Sequence, residues 1–165
     1  MMDFLLHIEQ SGFCSWVRES DSLFAYSGVL LVHTIGMGVV VGIAACIDLR
    51  ILGFAPALRL AGMEKFSPVL WVGFWMNAFT GVILTAIHAT SKLANPDFYI
   101  KLIFIGLAIV TLQMIKTNVF RAPLVDKAPP SSKAKLLAVL SLIFWTGAIT
   151  SGRLLAYVGP GSAGN

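Results

Sequence analysis

The chain has 165 residues, 57% of them hydrophobic and only 12% charged, with a formal net charge of +4. Soluble domains carry about 25% charged residues, so roughly half of the usual solvated surface is missing and most of the chain must face lipid or other protein. The basic residues are spread among loops rather than clustered, which excludes a nucleic-acid footprint.

Residues 2–19 mix Phe4, Leu5, Ile8, Phe13 and Trp16 with Asp3, Glu9, Arg18 and Glu19, the pattern of an amphipathic helix lying at the headgroup level, with Gly12 as a candidate break. The stretch lacks a basic leader and a small-residue cleavage site, so it does not read as a cleavable signal. Ser20-Asp21-Ser22 offers N-cap chemistry for the first spanning helix.

That helix, residues 23–50, organises the chain. Residues 23–47 carry no formal charge and hold one ionisable side chain, His33, near the middle. About 20 apolar residues cross a bilayer core of ~30 Å, and no polar face recurs at helical spacing. Asp48 and Arg50 read as a local ion pair or helix stop. Gly36, Gly38 and Gly42 give a small-residue surface, with Gly38-x-x-x-Gly42 as a close-approach motif. The following loop has room for one interfacial turn around residues 57–61.

The second span is 67–90, with Pro68 in its first turn, Asn77 near its centre, His88 near its far end and an aromatic stripe of Trp71, Phe74, Trp75 and Phe79. The short connection after it predicts that the second and third spans are antiparallel neighbours. Pro96 opens the third span, 98–117, with Lys101 in its first turn. A proline-rich polar loop leads to the fourth span, 135–157, which carries Arg153 near its end and Tyr157 as an interface anchor. Residues 158–165 are expected to fray. The predicted fold is all-α: a single membrane domain over 1–165, a four-transmembrane-helix bundle with an N-terminal interfacial amphipathic helix.

Arg50, Arg59, Lys65, Lys116, Arg121, Lys127, Lys133 and Lys135 follow the first and third spans, against Arg18, Lys92, Lys101 and Arg153 on the other side. The positive-inside rule then predicts a multi-pass membrane protein with both termini outside the cytoplasm. Cys14 and Cys46 fall near opposite faces and do not pair. No C-x-x-C-H, phosphate loop, nucleophile elbow or paired intramembrane carboxylate is present, which argues against covalent haem attachment, nucleotide use and hydrolysis.

The three histidines, His7, His33 and His88, all fall on the outer side of this topology. An imidazole at mid-membrane depth needs a reason. It either hydrogen-bonds a neighbouring helix, with Thr34 and Asn77 as candidate partners, or ligates a b-type haem, a usual role for a histidine inside a helical bundle. The haem reading takes His33 and His88 as metal ligands and Lys101 and Arg153 as propionate partners. His88 lies about 10 Å nearer the outer face than His33, so Met37 or a histidine of another subunit are the fallback ligands. The ordinary alternatives are a solvated His7, an interfacial His88 and cations that snorkel to the headgroups.

Val32-His33-Thr34-Ile35-Gly36, Asp48-Leu49-Arg50-Ile51-Leu52-Gly53, Thr80-Gly81, Asn95-Pro96-Asp97-Phe98 with Lys101, and Gly152-Arg153-Leu154-Leu155-Ala156-Tyr157 together resemble a bacterial family of small four-helix inner-membrane proteins, a domain of unknown function. The resemblance implies that His33, Asp48, Arg50, Lys101 and Arg153 belong to the family pattern and that His88 does not. More distantly the layout is similar to membrane b-type cytochromes and copper-resistance membrane proteins. The expectation is a haem b protein that relays electrons and partners the lipid bilayer, with a second copy or a membrane or periplasmic redox protein beside it. The alternatives are a cofactor-free accessory subunit and a copper-handling protein using His7, His88 and methionines.

Overall fold

Four helices long and apolar enough to cross a membrane carry most of the chain. The computed structural model describes residues 2–19, 25–121 and 129–157. The elements are α1 (Met2–Glu9), α2 (Gly12–Glu19), α3 (Tyr26–Leu52), α4 (Leu60–Met63), α5 (Ser67–Ala86), α6 (Ala89–Leu93), α7 (Pro96–Ile115) and α8 (Ser132–Tyr157). A 3-10 turn over Glu64–Phe66 joins α4 to α5, and a wide π turn over Lys116–Phe120 extends α7. The described residues are helical and form no strand, so the expected all-α bundle stands. The cap expected from Ser20-Asp21-Ser22, the polar loop 122–128 and the tail 158–165 lie outside the described residues, as does the side chain of Tyr157.

Local chemistry explains the helix ends. Gly53 closes α3 at φ 108°, a left-handed turn open to glycine at no steric cost. Its N–H donates to Arg50 O, and the Phe54 N–H donates to Leu49 O, the paired bonds of a Schellman closure. Asn95 accepts from the Asp97 N–H at 2.9 Å while Pro96 fills the first helical position, so α7 starts where its sequence indicates.

Arg50 does not pair with Asp48. Its guanidinium reaches over the following loop and donates to the carbonyls of Leu58 and Pro56. Residues two apart on a helix point to nearly opposite sides, and Asp48 turns into the bundle, 1% exposed.

α3 packs on both α5 and α8, and α8 on α7. The expected neighbours α5 and α7 scarcely meet, because each is drawn elsewhere. Gly36 and Gly73 bring α3 and α5 together so closely that a Cβ on Gly36 would stand 2.9 Å from Gly73 O. On the other side the Phe104 ring of α7 fills the notch at Gly147 of α8, 2.8 Å from where a Cβ would be. Gly36, rather than Gly38 or Gly42, makes the close contact; a Cβ on either of those would meet nothing within 4 Å.

Buried side chains form two clusters along the α3–α8 axis: Val40, Ala44, Leu70, Ala108 and Trp145 in mid-bundle, and Ile47, Ile51, Leu60, Met63, Ile115 and their neighbours toward α4. The outward faces are apolar too. Leu31, Val72, Trp75, Phe79 and Val82 are all more than three-fifths exposed, a surface suited to lipid rather than water.

Candidate functional site

The seam between α5 and α7 opens at the α6 end into a cavity of about 580 Å³, lined by His33, Phe74, Asn77, Gly81, Thr85, Phe98, Lys101 and Ile105 among others. Its size falls in the ~300–1,000 Å³ range of small-molecule sites, and its wall is mostly apolar with a few polar groups, as such sites are. The end is closed by α1, which rests on α6: Leu5 lines the cavity, and the Glu9 carboxylate accepts from Thr90 Oγ1 at 2.7 Å and from the Thr90 N–H at 3.2 Å.

His33 is fixed by two residues of α5, Asn77 and Thr80. Its Nδ1 lies 3.0 Å from Asn77 O and 3.0 Å from Thr80 Oγ1, and Asn77 Nδ2 donates back to His33 O at 2.7 Å. The Thr80 hydroxyl donates its proton to Met76 O at 2.7 Å, so toward His33 it can only accept, as Asn77 O must. Nδ1 therefore carries the proton, a tautomer assigned by the network. Nε2 keeps its lone pair and has no hydrogen bond to a described residue. The ring edge sits over Gly81, whose Cβ would come 3.1 Å from His33 Cε1.

This network refines the expected partnership. Asn77 contributes both its carbonyl and its amide, whereas the Thr34 hydroxyl turns back to Leu30 O at 2.9 Å. Thr80 and Gly81 are the site residues that periodicity did not single out. Their signal was spacing: three and four residues after Asn77 on a helix, they share its face.

Lys101, half-buried on α7, lays its stem along Gly152 of α8, where a Cβ would meet Cε at 3.5 Å and Nζ at 3.7 Å. It makes no hydrogen bond or ion pair with a described residue. Lys92 on α6 donates to Leu84 O at 2.9 Å. Burial, and after it the Lys101 ammonium, lowers the Lys92 pKa from its ordinary 10.5. The two cations give this end of the cavity a positive field.

Of the residues nominated from sequence, the cavity gathers His33 and Lys101. His88 does not line it; its ring stands edge-on to Tyr26, centroids 6.4 Å apart, and Tyr26 is two turns of α3, about 10 Å, from His33. Arg153 is exposed beyond Gly152, and His7 is exposed on α1. Cys14 is buried and Cys46 exposed, both free. The aromatic stripe divides, with Phe74 on the cavity and Trp75 and Phe79 facing out.

Among the described residues no three His, Cys, Asp or Glu side chains group as a metal cage. The arrangement instead offers one oriented imidazole, one unpaired ammonium and a large apolar volume. It suits a flat or elongated apolar molecule with an anionic end. No family model, no curated protein and no solved structure matches the chain.

Proposed function

We propose that the chain is an integral b-type haem protein that relays electrons, with haem in the cavity between α5 and α7. The observation that carries this reading is the His33 tautomer: Nδ1–H is held by a carbonyl and a hydroxyl while Nε2 faces no competing donor. Histidines that ligate metals commonly donate their other ring N–H in this way, which fixes the ring and raises its basicity. Lys101 supplies a cation for a propionate, and the apolar wall of α5 and α7 fits a macrocycle. When bound, haem would supply one-electron chemistry. The chain would hold it through His33 and Lys101, keep the His33 ring oriented through Asn77 and Thr80 and, through α1, screen it from water.

His33 would be the residue of this chain that holds the group in the cavity. His88, whose ring stands against Tyr26, does not line the cavity although Ala86 and Ala89 on either side of it do; a further ligand would come from another subunit. The membrane is a bacterial inner membrane, as the resemblance implies, and the distribution of basic residues puts the termini and the cavity end outside the cytoplasm. Electrons pass from a quinol or small reductant to an acceptor there. Purification after expression with haem precursor tests this. A Soret band lost in His33→Ala and weakened in Lys101→Met is expected; no Soret band in the wild type, with or without added haem, overturns the reading.

A second reading has its own support. The reciprocal His33–Asn77 bonds join α3 to α5, which is what a cofactor-free accessory subunit would need. Under it, His33→Ala loosens the bundle and changes no spectrum.

A further inference from the structure

At the opposite end of the bundle from the cavity, three polar groups are buried along the α3–α8 seam without hydrogen bonds. Both carboxyl oxygens of Asp48, the Ser141 hydroxyl and the Trp145 indole N–H lack a partner, and the three residues are 1%, 0% and 6% exposed. Ser141 and Trp145 lie one turn apart on α8, with the Ser141 hydroxyl beside the Asp48 carboxyl. Trp145 packs among Val40 and Ala44, one turn from Asp48 on α3. His33 is fifteen positions away, about 22 Å along the helix, so this is a separate place.

An ionised carboxylate enclosed this way, without a cation, costs several kcal/mol. No described basic group relieves it. On its own helix Arg50 is engaged by the Leu58 and Pro56 carbonyls. On α8, Lys133 donates to Asn118 and Lys135 is exposed. At the end of α7, Lys116 lines the small inner cleft against α5. α4 and the adjoining part of α5 present Leu60, Met63 and Leu70.

We propose that Asp48 and Ser141 form a buried proton-binding site, in which the carboxyl carries an exchangeable proton taken from the α4 face of the bundle. A hard metal cation needs about six oxygens, whereas only Asp48 and Ser141 have oxygen atoms to spare here, and the Trp145 N–H, a pure donor, repels a cation. A protonated carboxyl needs one acceptor and one donor, and a single hydroxyl is both. Asp48 is one turn from the end of α3, about 6 Å along the axis, which keeps it within reach of that face.

Infrared difference spectroscopy on the full-length protein in bilayers tests this. The carbonyl stretch of a protonated carboxylic acid is expected at neutral pH in the wild type. It should shift in D2O, disappear in Asp48→Asn and move in frequency in Ser141→Ala. Exchange of Na⁺ for K⁺ at fixed pH should leave it unchanged. Absence of the band in the wild type, its persistence in Asp48→Asn, or its loss on adding Na⁺ would each overturn the proposal. Should Asp48→Asn fail to accumulate, carboxyl-¹³C aspartate in the wild type, with the Ser141→Ala shift, decides the same point.

Discussion

Gly36→Ala isolates what holds α3 to α5. A Cβ at this position would stand 2.9 Å from Gly73 O, 3.0 Å from Asn77 N and 3.1 Å from Asn77 Cβ. Two of these are backbone atoms of the facing helix, so no rotamer change relieves the clash; the helices must separate by several tenths of an ångström. Overpacking of this kind costs about 1–3 kcal/mol, a roughly 5- to 150-fold loss in the folding equilibrium. The same displacement pulls Asn77 from His33, whose Nδ1 is 3.0 Å from Asn77 O. Gly38→Ala is the control. Two residues along the same helix, its Cβ would meet nothing within 4 Å, so the change should be neutral or gain up to about 1 kcal/mol from helix propensity. Steric trapping or reversible unfolding in bicelles measures both variants. Equal stabilities within about 0.5 kcal/mol would refute the account of the α3–α5 contact.

Other substitutions probe the cavity and its cover. Gly81→Ala places a methyl 3.1 Å from His33 Cε1 and should tilt the ring, weakening any ligand held at Nε2 more than it weakens the fold; titration of the bound chromophore against a thermal melt separates the two. Thr80→Val removes one acceptor from His33 Nδ1–H and should cost about 1 kcal/mol, read by the same unfolding assay. Glu9→Ala removes the bonds to Thr90, releasing α1 from α6 and exposing Cys14, buried in the wild type; faster labelling by a water-soluble maleimide is expected. Because burial and Lys101 lower the Lys92 pKa below 10.5, folding costs more while Lys92 is charged. Stability should therefore rise as pH climbs through the folded pKa toward 10.5, and Lys92→Met should flatten that rise in melts between pH 7 and 10.5.

Much of the architecture was legible because a bilayer allows few solutions. Charge-free stretches of membrane length have to be helices, and Pro68, Pro96 and Asn95 mark where two of them begin. What the sequence left open was which helices touch. The apolar residues of a membrane helix surround it, so hydrophobic periodicity does not point to a core face, and the short link between the second and third spans suggested an extensive contact where the two helices scarcely meet. The deciding features are small: Gly36 against Gly73 and Gly147 beneath Phe104. A glycine that meets a backbone and one that meets nothing within its own chain look alike in sequence, which is why Gly38-x-x-x-Gly42 was the natural choice although Gly36 makes the close approach within this chain.

The same consideration explains why half of the nominated site came together. His33 sits on the α3 face that meets α5, so a polar residue on α5 had to answer it, and Asn77 does. Lys101 lines the cavity from α7 while its stem lies along Gly152 of α8. His88 and Arg153 were chosen for depth alone, and depth does not fix azimuth: His88 caps α6 beside Tyr26, and Arg153 follows Gly152 on the outward side of α8. Because α5 is bound to α3 and α7 to α8, the seam between the two pairs can admit a large molecule without breaking either of those helix contacts. Filling Gly81 or neutralising Lys101 should therefore affect ligand retention more than assembly, filling Gly147 should affect assembly alone, and filling Gly36 should affect both, because it also displaces Asn77 from His33.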